Sequence, residues 1–321
     1  MKIFSEISAI VSDYSVNNVT PDRVEGWISQ FDRSIQGAIL NVTKSFLEKG
    51  YVSRNKLIYS IENIVRSEKI CGRDLSRFWS QVSILNVQQD GNSQVELADL
   101  LAFYVKKYTN INLPVNEFEK GILFYIDDFM FTGGRLRSDL SGLNEMLERK
   151  KTVIVLYMSV CSSAAWQYNS KWKGQWGNLD IVKAKRVMPA LENRLSEKNF
   201  SDKFWMHSDS MSSGKLSNYI ENFQRFNPST LRNLHCGTKF FPNAVERFNS
   251  EIALCEAGID IIERHGTVKP SLKPMGYDGY DGFGFGGTML SYRNCPNNLP
   301  LAYWWSLGEW LPLFERKVYE R

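Results

Sequence analysis

From Gly121 to Arg149 a continuous apolar run, two adjacent acids, a glycine turn and a helical repeat follow one another. That order restricts the chain to folds in which strands hand over directly to helices. Leu123, Phe124, Tyr125 and Ile126 have the pattern of a strand covered on both faces in a parallel sheet. The run stops at Asp127 and Asp128, and Thr132-Gly133-Gly134 follows three residues later. Beyond it, Leu136, Leu140, Leu143, Met146 and Leu147 recur at helical spacing. The stretch therefore predicts strand, acid pair, tight loop and helix, in that order.

Open α/β sheets bind ligands outside the carboxyl ends of their strands, and the N–H groups that begin a helix favour an anion there. Gly133 and Gly134 lack a Cβ, so their backbone can adopt left-handed dihedrals and approach a phosphate closely. Asp127 and Asp128 stand at the rim, where carboxylates accept bonds from sugar hydroxyls or help to hold a divalent cation. A phosphorylated sugar suits both halves of this loop. The plain alternative is an acid pair that ends a strand and caps the next helix.

Four apolar residues, two acids and a T-G turn resemble the phosphoribosyl pyrophosphate (PRPP) motif of type I phosphoribosyltransferases. The run from Ile126 to Arg137 is most similar to the version in uracil phosphoribosyltransferases and pyrimidine attenuation regulators. The resemblance implies that Asp127 and Asp128 contact the ribose and are the catalytic acids, and that Phe131, Thr132, Gly133, Gly134 and Arg135 cradle the 5′-phosphate. Arg135 is a departure: family members usually carry a hydroxyl residue at that place, although a guanidinium also pairs with phosphate.

A second strand, loop and helix are expected from Ser80 to Tyr108, with Val82, Ile84, Leu85 and Val87 in the strand and Val95, Leu97, Leu100, Leu101 and Tyr104 in the helix. By the same resemblance the intervening Gln88, Gln89, Asp90, Gly91, Asn92 and Ser93 form the pyrophosphate loop. It has no lysine or arginine, so it would bind an anion through backbone N–H groups, amides and Ser93, or through a bridging Mg2+. Asp90 reads either as a metal ligand or as a turn residue. Mg2+ is accordingly the implied cofactor, with Asp127 and Asp128 as its candidate protein ligands. About a dozen residues separate this helix from Gly121, too few for the long mobile flap of many active family members.

Ahead of the sheet, the Thr20-Pro21 cap and the run Val24, Trp27, Ile28 and Phe31 predict a first helix. A second opens after Asp32, buries Ile35, Ile39, Val42 and Phe46, and ends at Gly50. A third follows Ser53 with Leu57, Ile61, Ile64 and Val65 inward. These mark residues 1–75 as a helical subdomain, either a partner-docking module or a bundle packed on the main domain, with residues 76–321 forming the α/β domain. Val153 to Met158 predicts a further strand, and helices are expected over Val182 to Glu197, Gly214 to Phe226 and Pro242 to Ala257. Trp166, Trp172 and Trp176 lie among lysines, as aromatics offered to a base or as an ordinary insertion. From Gly276 to Gly287 glycine alternates with aromatics, which reads equally as a lid over the sugar site or as a loop plugging a core edge. Cys161, Ser162 and Ser163 have no histidine at a recognisable spacing and read as small-residue packing.

Composition excludes more than it assigns. With 39 lysines and arginines against 35 acids and no basic block, the chain has little of the electrostatic footprint of a nucleic-acid binder. Five scattered cysteines read as free thiols in a reducing cytoplasm, and three histidines without paired spacing do not read as a zinc site. No apolar run approaches membrane-spanning length, and the N-terminus lacks a secretory pattern.

The glycine and aromatic tail, the IDD-x-x-x-TG centre and the N-terminal helices together resemble phosphoribosyltransferase-like proteins of bacterial conflict systems, including retron operons. That resemblance implies an anti-phage effector acting on PRPP, a nucleotide or a nucleoside, as a pentosyltransferase or an N-glycosidase-type hydrolase. It also implies a defence-system partner, or a reverse transcriptase with its nucleic acid, docking through the N-terminal helices. The uncharged 88–93 loop and the missing flap keep a non-catalytic nucleotide sensor open beside it.

Overall fold

A computed structural model describes residues 2–88, 93–186, 188–189, 191–193, 201–222, 226–232, 240–266, 269–279 and 282–317. In chain order the helices α1 (Lys2–Ile10), α2 (Pro21–Ile28) and α3 (Arg33–Gly50) lead to β1 (Tyr51–Val52). Then come α4 (Arg54–Val65), α5 (Glu68–Cys71), α6 (Leu75–Ser80), β2 (Val82–Ile84), α7 (Ser93–Thr109), β3 (Ile122–Met130), α8 (Gly134–Met146), β4 (Lys151–Val160), α9 (Ser162–Gln167) and β5 (Leu179–Arg186). The chain closes with α10 (Gly214–Glu221), α11 (Ala244–His265), β6 (Leu290–Ser291) and α12 (Leu301–Trp304).

These elements form two compact units, residues 1–54 with 192–317, and residues 55–191 with 318–321. The division does not fall near residue 75. Helices α1, α2 and α3 belong with the C-terminal part of the chain, and α4 to α6 belong with the large sheet.

In the unit around the sheet, β2, β3, β4 and β5 lie side by side in that order, all parallel. Leu123, Phe124, Tyr125 and Ile126 are fully buried, as a central parallel strand requires. On one face of β3, Asp139 of α8 accepts the Tyr125 hydroxyl at 2.8 Å. On the other face the Trp79 ring of α6 lies 5.6 Å from that of Phe124. The strand is longer than its apolar run. Pairing with β4 continues through Asp127↔Tyr157, Phe129↔Ser159 and Met130↔Val160, because ladder bonds use the backbone and are indifferent to a polar side chain at the sheet's end.

The expected helix over Val182 to Glu197 is overturned in its first part. Residues 179–186 are a strand, paired from Lys151↔Leu179 to Tyr157↔Arg186. The outer edge of β4 offers a row of N–H and C=O groups, and satisfying them outweighs the local helix preference of Ala184 and its lysines. The later part of that stretch, 194–197, lies outside the described residues.

In the other unit α3 packs on α11, with Ile39, Val42 and Phe46 fully buried. The expected Thr20 cap is present, accepting from the Arg23 N–H at 3.2 Å, and Asp32 caps α3 by accepting from the Ser34 N–H at 2.8 Å. Tyr303 of α12 bonds Thr43 at 2.9 Å and stacks on Trp27 at 5.2 Å. Beneath α11 lies a buried charge network in which Glu251 accepts from Arg232 at 2.5 Å, from Arg247 at 2.8 Å and from the Trp205 N–H at 2.8 Å.

The glycine and aromatic segment belongs to this core. Phe283 and Phe285 are buried, and Phe283 packs against Tyr219 and Phe226. The backbone of Met275 donates to the Phe283 carbonyl, and Gly286 donates back to the Met275 carbonyl. A Cβ on Gly284 would strike the backbone of Met275 and Gly276. Glycine is needed there for close chain approach, so plugging a core edge accounts for the described part of the segment; Tyr280 and Asp281 lie outside it.

Candidate functional site

At the carboxyl rim of the sheet β3 delivers the acid pair and turns through Phe131, Thr132 and Gly133 into α8. Because side chains alternate along a strand, Asp127 and Asp128 project to opposite faces. Their surroundings differ accordingly. Asp127 is 5% exposed and lies on the α8 side with Tyr125 and, across the ladder, Tyr157. Asp128 is half-buried at the rim. The Asp127 carboxylate accepts the Asp128 N–H at 2.9 Å, which fixes the backbone at the step between them.

Asp127 is part of a buried polar group. The Tyr125 and Tyr157 rings are 6.0 Å apart, Tyr125 donates to Asp139, and the Gln88 side chain reaches Tyr125. Burial, followed by the neighbouring tyrosine and the charges of Asp127 and Asp139, holds the Tyr125 hydroxyl well above the usual tyrosine range. Burial likewise raises Tyr157, with Asp127 adding to the effect and the Arg135 guanidinium opposing it. Arg135 thus stands close enough for its charge to be felt beneath the rim.

The turn itself is partly open. Gly133 sits in the left-handed region at φ 79° and is the N-cap of α8, while Gly134 and Arg135 are exposed and Thr132 is half-buried. Thr132 Oγ1 accepts the Gly134 N–H at 3.4 Å. Gly133 has a packing reason as well as a conformational one. A Cβ there would lie 2.7 Å from the Trp172 ring and 3.7 Å from Ala164. Trp172 ends a single π-helical turn, Tyr168–Trp172, and is buried. Trp176 is also buried and donates to Ser141 at 3.1 Å, which leaves Trp166 as the exposed member of the three. Two of the tryptophans read as aromatics for a base are therefore packing residues.

Of the 88–93 loop, Gln89, Asp90, Gly91 and Asn92 lie outside the described residues, as does the side chain of Ser93, whose backbone begins α7. A residue the sequence reading passed over holds the near end of that loop. Gln94 is fully buried, and its carbonyl oxygen accepts the Val87 N–H at 2.8 Å and the Gln88 N–H at 3.2 Å. A lone glutamine in the first turn of a helix, directly after a polar loop, was the available signal.

The short connection between α7 and β3 is held down. Ile84 donates to the Pro114 carbonyl at 2.9 Å, Asn116 donates back to Ile84 at 2.9 Å, and the Asn116 amide exchanges two bonds with the Asn86 backbone at 2.8 and 2.9 Å. Val115 thereby pairs with Ile84 on the outer edge of β2.

Cys161 is buried and donates its N–H to Met130, and Ser162 donates to the Leu191 carbonyl. Cys71, Cys161, Cys255 and Cys295 are buried free thiols. Among the described residues no group of three or more His, Cys, Asp or Glu stands where it could hold a metal ion. Nor, among them, is any helix long and apolar enough to cross a membrane.

A parallel α/β sheet flanked by helices, with an acid pair at the end of one strand and a T-G turn into the next helix, defines a phosphoribosyltransferase-like protein. No curated protein matches the chain. The chain belongs to the PRTase-CE family, whose model matches residues 24–316.

Proposed function

We propose that the chain recognises a ribose phosphate, as PRPP, a nucleotide or a nucleoside, with the 5′-phosphate on the exposed Gly134–Arg135 turn and the sugar hydroxyls on Asp128. The observation that carries this is the half-buried Asp128 at the carboxyl rim, one turn from an open helix start with a guanidinium in its first turn. Breaking the bond at the anomeric carbon builds positive charge on the sugar, and a carboxylate in a drying site stabilises it. Mg2+ bound by one or two carboxylates together with substrate phosphates suits a rim where, among the described residues, no group of three or more metal-ligating side chains gathers. Asp128 would be its protein ligand here, and the ion would neutralise the pyrophosphate.

The resemblance to conflict-system proteins supports an anti-phage role in which a nucleotide pool is consumed or modified. It equally supports a defence partner, or a reverse transcriptase with its nucleic acid, docking on the N-terminal helices.

A second reading, a nucleotide sensor without turnover, is favoured by the pinned 110–120 connection, which lacks the length and freedom of a flap that would exclude water. Incubation with PRPP, Mg2+ and a panel of nucleobases and nucleotides separates the two. Pyrophosphate release or substrate loss, abolished by Asp128→Asn, supports the enzyme. Micromolar binding without turnover supports the sensor. A calorimetric trace that ignores PRPP and ribose 5-phosphate at millimolar concentration overturns both.

A further inference from the structure

We infer that the acid pair is divided in function: Asp128 alone meets the sugar, and Asp127 is a positioning residue that holds Asp128 from inside the sheet. The inference rests on the ribose-phosphate reading above and refines it. Three independent observations carry it. β3 pairs with β4 at Asp127 and again at Phe129 and Met130, so strand alternation sends the two carboxylates to opposite faces. Asp127 is 5% exposed, against a half-buried Asp128. And the Asp127 carboxylate accepts the Asp128 N–H at 2.9 Å.

The surroundings say what Asp127 does there. It lies among Tyr125, Tyr157 and Asp139, with Arg135 close enough to influence Tyr157. A carboxylate set among hydroxyls on one side and its neighbour's N–H on the other fixes the last step of β3. It also places a negative charge behind the guanidinium that begins α8. The consequence is a site with one ribose-facing acid, poised by a buried network that ties β3, β4 and α8 together.

The chemistry of an Asp-to-Asn change makes the roles separable. At 127, asparagine keeps an oxygen that can accept the Asp128 N–H, whereas alanine removes it. At 128, asparagine removes the charge that meets the sugar. Calorimetry with ribose 5-phosphate and Mg2+ is therefore run on the wild type, Asp128→Asn, Asp127→Asn and Asp127→Ala, with a thermal melt of each. The expected result is a loss of about tenfold or more in affinity for Asp128→Asn at an unchanged melting temperature. Asp127→Asn should bind within about threefold of the wild type, and Asp127→Ala should lose about tenfold, so that the conservative variant rescues. An Asp127→Asn variant that folds normally yet loses as much affinity as Asp128→Asn overturns the division, because the charge at 127 would then touch the sugar. Full affinity in Asp127→Ala overturns the positioning role.

A double-mutant cycle on stability keeps the two readings apart. Asp127→Asn should be non-additive with Tyr157→Phe, and Asp128→Asn additive with it. If the wild type binds no ribose 5-phosphate, the ribose-phosphate reading falls and the sugar half of this inference with it, while the cycle still reports whether Asp127 is wired to the tyrosines. Additivity at 127 overturns that half too.

Discussion

Gly133→Ala is the sharpest test of how the turn is built. Two costs add at this position. An L-residue at φ 79° leaves its favoured region, at about 1–2 kcal/mol. The new methyl also meets Trp172 at 2.7 and 2.9 Å, closer than real Cβ contacts come. Because Trp172 is buried, the ring cannot swing into solvent, and overpacking of this kind costs about 1–3 kcal/mol. The sum is about 2–5 kcal/mol, or about 6–15 °C in melting temperature for a unit of this size. The assay is a thermal melt of the full chain, alone and with Trp172→Leu. In the Trp172→Leu background the clash is gone and the dihedral cost remains, so adding Gly133→Ala should cost only about 1–2 kcal/mol. A shift below about 1 °C for the single variant, or strict additivity of the pair, would refute the reasoning. The packing against Trp172 adds to the dihedral freedom and ligand approach that the sequence suggests for Gly133, so bulk at 133 is expected to damage folding as well as binding.

Glu251→Ala would leave two buried guanidinium groups without their shared carboxylate, at about 3–5 kcal/mol, and a melt lowered by less than about 3 °C would argue against that network's importance. Gln94→Ala strips the acceptor from the Val87 and Gln88 N–H groups and should cost about 1–3 kcal/mol in a urea titration; a loss below about 0.5 kcal/mol would count against that role. The Tyr125 and Tyr157 hydroxyls are held above their unfolded value, so their contribution is complete below about pH 10 and is lost as pH rises beyond it. Melts taken between pH 8 and 11 should therefore fall steeply at the alkaline end, less so for Tyr157→Phe; equal slopes would speak against it.

Much of the site was legible because its signals are local. An apolar run, an acid pair and a T-G step name a strand end, a rim and a turn wherever they occur, and β3, the turn and α8 follow in that order. Thr20-Pro21 and Asp32 announced α2 and α3 for the same reason, since a cap satisfies N–H groups within three residues of itself. What misled was also local. Lys183, Ala184 and Lys185 sit in a segment with helix-forming residues, but the free edge of β4 claims it as β5. From Gly276 to Gly287 composition left a lid and a core plug equally open, and in the described part backbone bonds between Met275, Phe283 and Gly286 fit the plug.

The chain's order of residues determined that a strand ends in two acids and turns on glycine into a helix, because those requirements are settled by dihedral freedom and hydrogen bonding between near neighbours. Only the tertiary structure decided that the acids face opposite ways, one among buried tyrosines and one at the rim, and that Trp172 leans on Gly133. Those facts depend on how far the ladder runs and on residues distant in the chain, and such long-range pairing is decided by packing as a whole.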